Sequence, residues 1–326
     1  MFGDMSWTIV IVGPLVGLLG MFAGGYWGIG CGWLVVPTML IMGLTPMEAV
    51  GIGLLQMVPS VLPTAIKTTP AIGWGRGSLG KALVLPLAAG AFLASFSGAP
   101  INRFAYRLCG DSGLLILFMV VMTIIGIQTV SGSTAFSSGQ PRMYTGRESL
   151  WAFIGGLGAG VFSSVLGIGG AVLMRPMLAG GFRVPERETA NAVRLLLLVT
   201  TLCGGLTYVV HQGNVAYRVV WISLLVAAGG MIGFPCGVRL HEVVVRQGYA
   251  QHVHKSFASI AAVIVLCTLL KLCGQIILSR CLLLLFAVLL AVYLLWFGAY
   301  ARKHPRGGAA AHAAGDARTC SLKERS

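Results

Sequence analysis

"GIGCGWLVVP", Gly28 to Pro37, and "GIGGAVLMRP", Gly167 to Pro176, are two copies of one ten-residue pattern in a chain of 326 residues. Each lies inside an apolar run, where a glycine costs a helix about 1 kcal/mol relative to alanine. The copies are offset by 139 residues (28 to 167, 37 to 176). The same offset links Pro46 to Pro185, Gly90 to Gly229 and Gly98 to Gly237. An offset held over that length marks an internal repeat.

The runs around the two copies set the fold class. The chain is 56% hydrophobic and only 10% charged, with a mean hydropathy of +0.87; a soluble domain carries roughly 25% charged residues. Apolar blocks of 18 residues or more span a bilayer as helices, because lipid offers no partner to an unpaired backbone group. The expectation is an all-α, polytopic membrane protein. The formal net charge of +14 comes from Lys and Arg in short loops and in the tail. There they read as topology signals and lipid-headgroup contacts, not as a nucleic-acid surface. The eight cysteines form no CxxC and no metal-ligand spacing.

The blocks divide the chain. Residues 1–130 form a first repeat with apolar blocks at Trp7–Ala23, Trp33–Met42, Pro46–Ile66, Ala82–Gly98 and Gly113–Val130. Residues 131–149 are a Ser- and Gly-rich linker. Residues 150–275 repeat the layout, 276–301 add a further helix, and 302–326 form a basic tail read as disordered. Each repeat counts as about four crossings opening with a glycine-broken helix. An even number gives both halves one orientation, related by an axis along the membrane normal. Nine crossings then place the basic tail inside and the N-terminus, read as a retained helix, outside. Gly90, Ala94 and Gly98, with Gly229, Gly233 and Gly237, are read as close-packing faces.

The broken segments are where function is expected. Trp7 to Met42 as one helix would be about 54 Å long, against a hydrocarbon core of roughly 30 Å. The segment must end and restart, and Gly24, Gly25, Gly28, Gly30 and Gly32 supply the break. Gly167, Gly169 and Gly170 supply the second. Unwound backbone at depth is tolerated where it is buried in protein or lines a wet cavity. Free N–H groups and the positive ends of restarting helices attract anions. The competing reading of either stretch alone is a kink or a tight helix crossing.

The paired glycine motifs, the four-plus-four layout and the small-residue third helices resemble the sulfite exporter family of the TauE/SafE type, over nearly the whole chain to about Gln275. The resemblance implies a bacterial inner-membrane protein moving sulfite, sulfonates or related small anions. It places the family glycines on Gly28, Gly30 and Gly32, and on Gly167, Gly169 and Gly170, with the prolines on Pro37 and Pro176. The chain departs from the pattern at Cys31 and Ala171, and by its additional last helix.

Charged and polar residues at depth complete the candidate substrate site. Arg175 and Arg194 are costly inside a membrane, and a guanidinium fork suits an oxyanion. Their competing role is to pair with Glu186 or Glu188, or to snorkel to the headgroups. The matching first-half positions are Val36 and Leu55, so charge comes from one half only. Gln56, Ser60, Asn191, Thr200 and Thr201 add donors, although a hydroxyl often bonds its own helix carbonyl. Pro59 and Pro63 are expected to kink the helix beside Gln56. Glu48 reads as a first-turn residue, with carriage of a coupling proton the alternative, and the histidines are placed in loops or the tail. The leading function is a secondary transporter of small anions, with lipid as its surroundings and a proton or sodium as the candidate coupling ion. An anion channel, or a transporter of another small organic anion, is the alternative. No HExxH, paired-carboxylate or GxxxxGK[ST] motif suggests an enzyme or direct ATP drive, no cofactor is expected, and no oligomeric state is set.

Overall fold

A computed structural model describes residues 7–75, 77–131, 143–213 and 216–304. Most of the linker and nearly all of the basic tail lie outside the described residues. Among the described residues the chain is helical throughout.

Helix α1 (Trp7–Trp27) ends where Gly28 takes φ 68° and the Ile29 N–H donates to the Gly24 carbonyl at 3.0 Å. That closure satisfies a carbonyl of the last turn. Helix α2 (Gly32–Ile41) turns back along α1, with Cys31 and Leu34 against Gly20. Helix α3 (Pro46–Leu55) starts with Pro46 in its first turn and a reciprocal cap between Thr45 and Glu48. It breaks at Gln56, and α4 (Met57–Thr68) follows. Pro59 explains the interruption, since it has no N–H to donate to the Leu55 carbonyl. A π-turn (Gly80–Val84) leads into α5 (Leu85–Ser95), which bends by 48° into α6 (Gly98–Ser131). Gly110 divides α6 at φ 62°, ψ −164°.

The second half opens with α7 (Gly146–Leu166), capped by Thr145 and Glu148 as α3 is by Thr45 and Glu48. It ends at Gly167, φ 71°, whose N–H donates to the Ser163 carbonyl at 2.8 Å. The short α8 (Ala171–Pro176) runs into a π-turn (Met177–Gly181). Then come α9 (Glu186–Gln212), α10 (Ala216–Arg246), α11 (Ala250–Leu272) and α12 (Ile276–Lys303).

Six of these elements are long and apolar enough to cross a membrane, or seven if the bent α5–α6 pair is one span. Among the described residues that is fewer than the nine crossings expected, with Leu115–Ile124 of α6 and Ala261–Leu272 of α11 as further, shorter apolar helices. α2 is apolar but only 10 residues long, about half a bilayer, and the apolar block at Gly113–Val130 is the distal part of α6. Gly24 and Gly25 also stay helical inside α1. They give room for close approach instead: Gly24 lies against the Gly30 carbonyl and Gly25 against that of Phe234. His241 and His252 are helical, not in loops, and His241 is buried in α10 against the ring of Tyr26. The exposed apolar side chains that line α10 and α12 suit a lipid environment. The chain is a multi-pass, all-helical membrane protein.

Three helix pairings fix the directions of the bundle. α1 and α10 run parallel, with Gly229, Gly233 and Gly237 against the carbonyls of Pro14, Leu18 and Phe22. α5 and α7 run parallel as well, with Gly90 against the Phe153 carbonyl and Gly156 against that of Leu87. The small-residue faces thus work as packing faces, as expected. α3 and α9, however, run antiparallel. Gln212 Nε2 donates to the Met47 carbonyl at 2.8 Å, Gly51 lies against Tyr208, and Leu54 and Leu55 lie against Gly204 and Gly205. Pro46 opens α3 and Pro185, 139 positions on, stands just before α9, so these two matched helices do not share one orientation. The expectation of a common orientation rested on an even count of four crossings in each half, with α2 and α8 as the restarting parts of broken helices.

Candidate functional site

The two glycine breaks meet. Gly28, Gly30, Gly167 and Gly169 all take left-handed backbone, at φ 68°, 78°, 71° and 80°, a region that costs other L-residues roughly 1–2 kcal/mol. Gly32, at the start of α2, packs directly on the Gly167 carbonyl and the Ile168 backbone. A side chain at Gly32 would separate the two breaks. Trp33 ties down the first break, its indole N–H donating to the Gly30 carbonyl at 2.8 Å. At the second, the Gly170 N–H donates to Thr200 Oγ1 at 3.1 Å, and that hydroxyl itself donates to the Leu196 carbonyl.

Arg175 spans from one break to the other half. It is 7% exposed, and a β-carbon built on Gly28 would stand 3.1 Å from its Nη1. The guanidinium of the second half therefore lies over the open turn of the first. Arg194 is 5% exposed and donates from Nη1 to Asn191 Oδ1 at 3.2 Å. Arg175 and Glu242 are both near enough to act on it electrostatically. Since α9 begins at Glu186, Arg194 is about 12 Å of rise into the helix. Arg194 and the Glu242 carboxylate thus lie within electrostatic range of one another nearby, and Arg175 brings a buried cation to the open backbone of a glycine turn. That is chemistry suited to an anion.

The remaining candidate residues divide. Gln56 is fully buried, and its Nε2 donates to Cys31 Sγ at 2.7 Å and to the Gly53 carbonyl at 3.1 Å. Its Oε1 has no hydrogen-bond partner among the described residues. Gln56 therefore belongs to the first break, through Cys31, the residue that precedes α2. Ser60 donates to the Gln56 carbonyl at 2.9 Å, and Thr201 to that of Leu197 at 2.7 Å. Both hydroxyls serve their own helices. Pro37 is buried but lines a cavity of about 20 Å³ between α2, α3, α6 and α7, away from Arg175. Pro176 ends α8, beside Arg175 in sequence, and is half-buried. Glu48 accepts from the Thr45 backbone and faces Arg218 Nη1 at 3.4 Å, at the far end of α3 from the breaks. Its first-turn role accounts for the contact with Thr45, and the ion pair ties α3 to α10.

Sequence reasoning missed Met57, Leu197 and Glu242. Met57 and Leu197 touch both glycine breaks, yet apolar residues in apolar runs carry no signal. Glu242 lies near the end of α10, and only the folded bundle brings it within reach of Arg194.

Among known proteins, the model of the sulfite exporter family TauE/SafE matches residues 13–266. The chain is also similar to a protein of Bacillus subtilis (strain 168) described as "Probable membrane transporter protein YunE". The two are 22% identical over 265 residues, which is 73% of this chain and 89% of the relative. No solved structure matches the chain.

Proposed function

Because the chain belongs to the TauE/SafE sulfite exporter family of membrane transporters, we propose that it is a secondary transporter for small sulfur oxyanions or sulfonates. Its site is the junction of the two glycine breaks, with Arg175 and Arg194 as charge partners. The observation that carries this reading is the reach of Arg175, from the second half, to the Gly28 turn of the first. Gly28, Gly30, Gly167, Gly169 and Gly170 hold the two backbones open there. Gln56, Asn191 and Thr200 fix their surroundings, and Ser60, Pro37 and Pro176 shape the helices.

We further read residues 1–130 and 150–275 as two inverted repeats, joined by the 131–149 linker and followed by α12. Contacts that recur at the 139-residue offset support this. Gly17 meets the Val226 carbonyl as Gly156 meets that of Leu87, and Gly229 meets Pro14 and Leu18 as Gly90 meets Phe153 and Leu157. The antiparallel run of α3 and α9 fits a two-fold axis in the membrane plane. Inverted repeats with a site at their interface suit alternating access, and this favours a transporter over a channel.

The test is a flux panel in proteoliposomes with sulfite, sulfate, thiosulfate, sulfoacetate and a carboxylate of similar size. The proposal expects saturable, gradient-coupled flux of one or more sulfur anions, with the carboxylate excluded. Flux that never saturates supports the channel instead, and no flux of any sulfur anion overturns the assignment.

A further inference from the structure

We propose that Met57 and Leu197 form the apolar barrier that an anion held at Arg175 must displace to cross the molecule. This rests on the transport reading and adds a named barrier to it. Helix α9 serves as a ruler. Arg194, Leu197 and Thr200 follow one another at three-residue steps, each about 4.5 Å of rise. Arg194 marks the cationic level, and Thr200 holds the second break through Gly170.

Leu197 sits between those levels and is fully buried. β-Carbons built on Gly30 and on Gly169 would stand 3.2 Å and 2.6 Å from its Cδ1. Met57, the first residue of α4, is also fully buried. Its Sδ would be 2.7 Å from a β-carbon on Gly30, and its Cε 3.4 Å from one on Gly169. One side chain from each half therefore covers both left-handed glycines.

Access is unequal on the two sides of this pair. Gly28, beside Arg175, is partly exposed, whereas Gly30 and residues 167–170 are buried. Further along, Gly32 closes on the Gly167 carbonyl. Neither Met57 nor Leu197 offers a donor to an anion, and an apolar constriction blocks a charged solute by excluding its water. The two can still yield, because methionine has three rotatable bonds and adapts to its surroundings. Met57 also stands next to the break at Gln56, where the helix is already interrupted.

The test measures passive efflux of sulfite, and separately of chloride, from proteoliposomes with no driving gradient of a coupling ion. The variants are Met57→Ala, Leu197→Ala and their combination. Leu83→Ala, a fully buried position away from the breaks, is the control. The expected result is a rise in passive leak of about tenfold for the combination, none for Leu83→Ala, and none for Met57→Leu. If the alanine pair does not fold, Leu197→Asn replaces it, since a polar group there wets the constriction and should leak likewise. Folded barrier variants as tight as the unsubstituted protein, or an equal leak in Leu83→Ala, overturn the proposal. Chloride leak reports on the barrier even if the unsubstituted protein moves no sulfur anion, so failure of the transport reading shows up separately.

Discussion

At the scale of single residues, the proposed transport site turns on Arg175. A buried guanidinium engaged with an anion contributes roughly 1.5–3 kcal/mol, or about tenfold to a hundredfold in affinity. Arg175→Ala should lower sulfur-anion affinity by that factor. Arg175→Lys should recover only part of it, because an ammonium lacks the planar fork. Competition binding on purified protein checks both, and an unchanged affinity in Arg175→Ala would remove this residue from the site. Arg175 and Arg194 were legible in the sequence because a charge in an apolar run stands out. Where Arg175 reaches was not, since its neighbour Gly28 is 147 positions away (28 to 175). Met57 and Leu197 could not be picked out at all. Their importance comes from touching two breaks at once, which no local pattern encodes.

At the scale of helices, glycine acts in two different ways along one run. Gly156 faces α5 with the Leu87 carbonyl against it, whereas Gly158, two residues on, has open space beside it. Gly156→Leu should therefore force α5 and α7 apart at a cost of about 1–3 kcal/mol or more, and Gly158→Leu should be tolerated. Thermal unfolding in detergent separates them, and equal melting temperatures would contradict the packing described. The existence of the helices was legible from apolar runs and from caps such as Thr45–Glu48. Which runs cross the bilayer was not. A 10-residue segment such as α2 is as apolar as a crossing helix, and its short length and its turning back show only in the fold.

At the scale of the whole molecule, the number of crossings in each half decides the symmetry. An even number gives two halves of the same orientation, and an odd number inverts one half against the other. The offset of the repeats was plain in the sequence, but their relative orientation depended on helix contacts such as Gln212 to Met47. In the proposed inverted arrangement, the two glycine breaks that meet at Gly32 and Gly167 lie at the interface of the halves, with Arg175 beside them. The most direct measurement is a structure determined with selenite, whose selenium gives an anomalous signal in place of the sulfur of sulfite. The account predicts a selenium peak between Arg175 and the Gly28 turn, with an oxygen about 2.7–3.2 Å from the guanidinium. Selenite bound elsewhere in a structure with that turn left empty would contradict it.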